Sequence, residues 1–148
     1  SSSSSSRSRS GNTTQFSNDN MCKIKASVEE SLYEFVYIDP DVYSNEGYMV
    51  DFQIERGYVW QNVNTGMKGK LCVVILKPEH YYKGSSSVKK KIIASITMKL
   101  RHLRNYGWHV IEIPYFEWLV DRKVERKRLY IESKLQQFKR CEAVTMIE

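Results

Sequence analysis

Two short apolar segments decide the fold: KLCVVILK at residues 70–77 and WHVIEI at residues 108–113. The first is almost entirely aliphatic and β-branched, which is typical of a strand buried on both faces. Between the segments, starting from Val88, apolar residues recur at helical spacing at Ile92, Ile96, Leu100 and Leu103. This spacing predicts an amphipathic helix of about four turns that ends at Asn105 and Gly107. The order strand, helix, strand predicts a βαβ unit with parallel strands.

The flanking sequence predicts further helices and strands of an α/β fold. Residues 26–38 (ASVEESLYEFVYI) place apolar residues at helical spacing, and Pro40 is expected to end that helix. Residues 47–55 (GYMVDFQIE) alternate between apolar and polar side chains, which predicts a half-buried strand. Its apolar face would carry Tyr48, Val50, Phe52 and Ile54. A second, highly charged helix is predicted over residues 121–139.

Composition divides the chain into three parts. Residues 1–20 read SSSSSSRSRSGNTTQFSNDN and have almost nothing to bury, so disorder is expected there. We therefore predict a Ser-rich linker over residues 1–25, one domain over 26–140 and a tail over 141–148. Apolar residues make up 41% of the chain, which is enough for one core. No membrane span is predicted, because the longest aliphatic run, Leu71–Leu76, is far shorter than about 20 residues.

The net charge of +6 is the sum of two opposed blocks. Residues 26–55 hold eight acidic residues and no Lys or Arg, whereas residues 88–140 hold fourteen Lys and Arg against five Asp and Glu. The basic block predicts an anionic partner. The acidic block leaves open a second interpretation, in which it pairs with a basic protein or with the basic block of this chain.

Three consecutive lysines, Lys89, Lys90 and Lys91, would lie in the first turn of the helix that starts at Val88. Cations are unfavourable at a helix N-terminus, so a bound phosphate is expected to offset them. The alternative is a solvated, lysine-rich face. Further cations and a histidine would extend the positive surface, namely Lys99, Arg101, His102, Arg104, Arg122 and Lys123.

Aromatic residues are interleaved with these cations. His80, Tyr81 and Tyr82 follow the first buried strand and are expected to form an open surface at its carboxyl end, where ligands of such sheets gather. Bases of single-stranded RNA stack on aromatic rings in this way while Lys and Arg hold the phosphates. Trp108 and Phe116 are predicted to be core residues.

Asp51 lies on the polar face of the strand at 47–55, which suggests a comparison with nucleases of the restriction-endonuclease type. Those enzymes use an Asp on one strand, then an acid and a Lys two residues apart on the next, to bind a divalent cation and activate water. Asp51 and Lys77 are present, but Ile75 occupies the position of the second acid, and Glu79 is off-register. Asp51, Glu79 and Lys77 are thus candidates for a degenerate catalytic site, and Mg²⁺ is expected only if that site cleaves. The three cysteines form no CxxC pair, so no zinc site is predicted.

The stretch from Val73 to Leu135 resembles the RAP domain, the small module that closes FAST-kinase-domain-containing proteins and many apicomplexan and organellar RNA-binding proteins. The resemblance rests on the segments EHYY (79–82), KLRHL (99–103), YGWHVI (106–111) and IPYFEW (113–118), followed by a basic helix. The chain departs from the family at residues 74–78 (VILKP), where many members carry an acid and an Asp-Gly before the His. That departure argues against metal-dependent cleavage.

The resemblance implies a small α/β core of the restriction-endonuclease type, similar to very-short-patch-repair endonucleases, with flanking helices. It also implies an RNA-binding module without a small-molecule substrate or cofactor, preceded in a longer protein by helical repeats. Such proteins process and stabilise RNA in mitochondria or, as the alternative, in another organelle such as a plastid. A metal-dependent endoribonuclease using Asp51 and a protein-interaction module remain the alternative hypotheses.

Overall fold

The computed structural model describes residues 18–82 and 91–141. The elements in chain order are α1 (Asn18–Tyr33), β1 (Ile38–Tyr43), β2 (Met49–Ile54), β3 (Val59–Asn62), β4 (Lys68–Leu76), a 3-10 turn (Pro78–His80), α2 (Ala94–Asn105), β5 (Trp108–Pro114), α3 (Val124–Leu135) and β6 (Phe138–Cys141).

Strand β4 is the centre of a mixed sheet. It pairs antiparallel with β2 and β3 and parallel with β5, while β1 extends the sheet beyond β2 and β6 extends it beyond β3. The parallel register runs from Lys70 opposite Trp108 to Leu76 opposite Pro114. The predicted strand–helix–strand unit with parallel strands is therefore confirmed, as is the α/β class.

Every residue from Leu71 to Leu76 is buried, because helices cover both faces of β4. Alternate side chains of the strand belong to two hydrophobic clusters: Leu71, Val73 and Ile75 to the first, and Cys72, Val74 and Leu76 to the second. The first cluster includes buried residues of α1 and α3, and the second includes those of α2. The prediction of a strand buried on both faces is confirmed.

The first helix begins and ends earlier than predicted. Helix α1 covers Asn18–Tyr33, so residues 18–25 belong to the domain and not to the linker predicted over 1–25. Ile24 lies in that first half of the helix and is buried in the first cluster. Pro40 does not end the helix but lies within β1, a strand at the edge of the sheet where a missing N–H is tolerated.

Strand β2 does not present one continuous apolar face. Phe52 and Ile54 belong to the first cluster, whereas Val50 belongs to the second. The change occurs at Asp51, since β2 pairs with β4 only from Phe52 to Ile54. Asp41, which faces Asp51 across the β1–β2 hairpin, has a left-handed backbone with φ of 54°. This local irregularity divides the hairpin between the two sides of the sheet.

The helix predicted from Val88 begins at Ala94. Lys91 precedes it in extended structure, and the neighbouring Ile92 forms a β-bridge with Tyr81. The predicted position of Lys91 in the first helical turn is therefore wrong. Lys89 and Lys90 lie outside the described residues.

The basic helix predicted over 121–139 is shorter, and a strand follows it. Helix α3 ends at Leu135, and β6 pairs antiparallel with β3 from Phe138 to Cys141. Cys141 therefore belongs to the domain, and residues 142–148 of the predicted tail lie outside the described part of the chain. Neither β3 nor β6 was predicted, because both are short and depend on each other's backbone hydrogen bonds.

We expect Gly69→Ala to destabilise the fold strongly. A Cβ at Gly69 would lie 1.7 Å from the backbone oxygen of Gly107, so β4 and the start of β5 would have to separate. The loss should be about 3 kcal/mol or more, the upper range for overpacking, measured by urea unfolding.

Gly47→Ala is the matched control, because a Cβ at Gly47 meets nothing within 4 Å although its φ is +95°. It should cost only the left-handed backbone strain of about 1–2 kcal/mol. Equal losses in the two variants would contradict the close approach at Gly69.

Candidate functional site

Asp51 lies where β2 separates from β4. Its carboxylate accepts a hydrogen bond from the backbone N–H of Ile75, at a point of β4 that β2 no longer reaches. The side chain thus replaces the missing strand partner of a buried N–H group, which would otherwise be costly to leave unpaired. Asp51 is consequently held at the carboxyl end of the central strand, as part of the structure of the sheet.

The turn that follows β4 positions His80. Its Nδ1 accepts a hydrogen bond from the backbone N–H of Lys77 at 3.2 Å. In the neutral ring this leaves the proton on Nε2, which is then available as a donor. Burial lowers the pKa of His80, the Glu79 carboxylate opposes that effect, and the ammonium groups of Lys77 and Lys99 reinforce it. His80 is therefore a neutral imidazole near pH 7.

Lys99 approaches the same region from helix α2. Its side chain is half-buried, and burial lowers the pKa of its ammonium group. The carboxylate of Asp51 acts in the opposite direction, and the ammonium group of Lys77 lowers the pKa further. Asp51, Lys77, His80 and Lys99 thus share one electrostatic neighbourhood, which we call the basic cluster.

Two carboxylates stand beside the two lysines of this site. Asp51 opposes Lys77 and Lys99 within the basic cluster, while His80 is neutral. The carboxylate of Glu79 lies 3.9 Å from Nε2 of His80, but it is 74% exposed, so water screens its charge. A half-buried site with two ammonium groups and an imidazole N–H offers the donors that an oxyanion such as phosphate accepts.

The same residues do not fit a magnesium site. One oxygen of Asp51 is occupied by the N–H of Ile75, and the neighbouring strand position supplies an isoleucine instead of a second acid. Within residues 18–82 and 91–141, no three His, Cys, Asp or Glu side chains are grouped to hold a metal ion. A divalent cation normally needs several oxygen ligands, so this donor set is too poor for one.

The aromatic surface differs from the prediction. Tyr81 is only 9% exposed, and its ring packs against those of Tyr115 and Phe116, so its assignment to an open surface is wrong. Burial raises the pKa of Tyr81 to about 12. Tyr82 is 49% exposed, as predicted, and its N–H donates to the carbonyl of Lys91. Trp108 is a core residue as predicted, whereas Phe116 is 41% exposed and is not.

The remaining predicted contacts do not join the basic cluster. His102 is engaged by the hydroxyl of Tyr48, 2.6 Å from its Nδ1. Arg104 lines a separate groove that also contains Lys134. Arg122 and Lys123 precede α3, which packs on the face of β4 opposite to α2. Arg101 and Lys91 are exposed. The continuous positive track predicted from the sequence is therefore divided among several surfaces.

The acidic block is partly paired within the chain. The carboxylate of Glu55 lies 3.2 Å from the guanidinium of Arg140, and that of Asp41 lies 3.1 Å from the ammonium of Lys25. The Arg140 guanidinium also stacks over the ring of Tyr58. The Lys25–Asp41 pair is exposed and adds little stability, whereas the Glu55 side chain is only 12% exposed. Both pairs reduce the negative charge that the block presents.

No helix within the described residues has the length and apolar composition needed to cross a membrane.

A family match covers the segment that contains most of the basic cluster. The family model of the RAP domain matches residues 73–134, a range that includes Lys77, His80 and Lys99 but not Asp51. The search of curated proteins found no match, and neither did the search of solved structures. The resemblance predicted from the sequence is confirmed for this range: residues 73–134 match the RAP domain, which is generally an RNA-binding module.

Proposed function

We propose that this chain binds RNA, with Lys77 and Lys99 holding a backbone phosphate and His80 donating a hydrogen bond to it through Nε2. The observation that carries the proposal is the convergence of these three side chains beside Asp51 at the carboxyl end of β4. All three lie in the range that matches the RAP domain.

Charge and burial explain why a phosphate suits this position. Burial disfavours the ammonium form of Lys99, and of the two carboxylates at the site Glu79 is exposed and screened by water. A bound phosphate would favour the ammonium form of Lys99 and accept hydrogen bonds from both lysines. Asp51 is itself fixed by the N–H of Ile75, and its charge acts on Lys99.

The wider context of the proposal follows the family. We propose that the chain is part of a longer protein with upstream helical repeats that processes or stabilises RNA in mitochondria or in another organelle such as a plastid. The support is the RAP resemblance alone. We further propose a core of the restriction-endonuclease type, supported by an Asp on β2 beside a central β4 that pairs in parallel with β5.

Binding without cleavage is the form of the function that the residues favour. A nuclease would need a second carboxylate near Asp51, and Ile75 stands at that position. Lys77 and Asp51 nevertheless line one cleft, as in a nuclease, so the site resembles one in which an isoleucine has replaced the second metal ligand.

Replacing Lys77 or Lys99 by Ala should weaken RNA binding and reduce its salt dependence. Each lost phosphate contact should lower the slope of log Kd against log salt by about 0.7 for single-stranded RNA. Fluorescence anisotropy of a labelled oligonucleotide at several salt concentrations measures both effects.

Lys23→Ala is the matched control, because Lys23 is an exposed lysine on α1 outside the basic cluster. A slope for Lys99→Ala equal to that of Lys23→Ala would contradict the phosphate site. The triple variant Lys89/Lys90/Lys91→Ala tests the phosphate contacts predicted from the sequence for these three lysines. An unchanged slope of log Kd against log salt would show that they do not contact RNA phosphates.

Asp51→Asn should strengthen RNA binding a few-fold. The substitution removes the charge that opposes Lys77 and Lys99, worth about 0.5–1 kcal/mol for a partly exposed pair, and its amide oxygen can still accept the N–H of Ile75. Glu79→Gln, at an exposed carboxylate, is the control.

Labelled RNA incubated with the wild-type chain and Mg²⁺ or Mn²⁺ should stay intact. Cleavage that Asp51→Asn abolishes would support the nuclease hypothesis instead.

RNA affinity should increase as the pH falls from about 8 to about 6, the range in which histidines titrate. In the free protein burial lowers the pKa of His80, whereas a bound phosphate favours the charged imidazolium and raises that pKa. Protonation at Nδ1 gives up the hydrogen bond from the N–H of Lys77, which opposes the phosphate in part. Binding then takes up a proton between the two pKa values, which links lower pH to tighter binding. His80→Gln should flatten the profile, and His109→Gln should not. Identical profiles for the two variants would exclude His80 from the contact.

A further inference from the structure

A cleft lies beside the basic cluster. The cleft has a volume of about 390 Å³ and lies between α1, β2 and the end of β4. Asp51 and Lys77 line it and also belong to the basic cluster, so a molecule in the cleft would be continuous with a phosphate held there. The volume falls within the range of about 300–1,000 Å³ typical of small-ligand sites.

The walls of the cleft combine apolar groups with charged ones, namely the ammonium groups of Lys25 and Lys77 and the carboxylate of Asp51. Met21 and Cys22 of α1, Met49 of β2 and Ile75 of β4 supply the apolar surface. Ile75 is buried and both methionines are half-buried, whereas Lys77 is exposed. The apolar part therefore lies deeper than the ammonium group of Lys77. Methionine side chains adapt to flat ring surfaces and make favourable sulfur–aromatic contacts.

The two lysines of the cleft differ in their availability. The ammonium of Lys25 lies 3.1 Å from the carboxylate of Asp41 and 5.7 Å from the ring centroid of Phe52, so it is already engaged. Among the described residues, Lys77 has no ion pair of this kind. The other charged side chains that line the cleft are already engaged, Lys25 by Asp41 and Asp51 by the N–H of Ile75. Lys77 is thus the cation left to contact a ligand with one anionic group attached to an apolar body.

We propose that this cleft receives the base of one unpaired nucleotide of the RNA, inserted against Met21 and Met49 while its phosphate contacts Lys77. The inference rests on the proposed function, because it takes the phosphate site of the basic cluster as its starting point. A paired base cannot enter, since its edge and both faces are covered in a duplex. The cleft thus selects for bulged, looped or single-stranded RNA.

Three hairpin RNAs of the same stem test the proposal. One is fully paired, one carries a single bulged nucleotide, and one carries the same bulge as an abasic ribose. The wild-type chain should bind the bulged hairpin about tenfold more tightly than the abasic one, the size expected from the contacts of one base with two methionine side chains. Fluorescence anisotropy measures the three Kd values.

Cys22→Trp fills the cleft from an exposed position of α1, so the fold should be preserved. The variant should lose the preference for the bulged base but keep the affinity and salt slope for the paired hairpin. Met98→Trp, at an exposed methionine of α2 outside the cleft, is the control and should behave as the wild type. Met49→Ala removes one wall and should reduce the preference without filling the cleft.

The outcomes separate the two proposals. Equal affinities of the wild type for bulged and abasic hairpins, with a normal salt slope, would overturn the base site and leave the phosphate site intact. A preference that persists in Cys22→Trp would also overturn it. No measurable RNA binding by the wild type would overturn the proposed function and this inference together.

Discussion

The architecture depends on the burial of β4 on both faces. A strand in that position cannot leave backbone groups unpaired, because water does not reach them. Over Leu71–Val73, β2 supplies partners along one edge, and β5 pairs with Lys70–Leu76 along the other. Beyond Val73 the hairpin of β1 and β2 turns away, and the carboxylate of Asp51 takes over at the N–H of Ile75. A charged group is thereby fixed at the carboxyl end of the sheet.

That constraint also explains the chemistry of the site. A carboxylate already used as a strand partner has less capacity to bind a metal ion, and the lysines beside it compete for the same negative charge. A divalent cation and two neighbouring ammonium groups would repel one another. The arrangement is therefore coherent for binding an anion and poorly suited to hydrolysing one.

The parts of the fold that the sequence predicted are those with strong local periodicity. β4, β5 and the body of α2 have continuous apolar patterns, and all three were predicted. The start of α1 was missed because residues 18–25 are mostly polar. Only Met21 and Ile24 in that stretch pack against the first cluster, which is too few to show a helical period. β6 was missed because FKRC continues the helical pattern of α3, and only its pairing with β3 makes it a strand.

For the site, the sequence identified the residue types but not their grouping. Asp51 and Lys77 were assigned to catalysis, and His80 and Lys99 to RNA contacts, although all four share one neighbourhood. Tyr81 was predicted to be exposed and is buried, whereas Phe116 was predicted to be buried and is exposed. Their exposure is decided by ring packing between segments that are distant in the sequence. Such proximities arise from the tertiary fold and leave no signal in local spacing.

The division of the site between two parts of the chain suggests how affinity and selectivity would separate. Lys77, His80 and Lys99 lie in the range that matches the RAP domain, whereas Asp51 and most of the cleft come from α1 and β2 outside it. In the proposed complex the matched range supplies phosphate contacts, which are insensitive to sequence. The elements before that range, α1 and β2, supply most of the walls that would contact the base. A different N-terminal region on the same module would therefore change the RNA preference without changing the phosphate contacts.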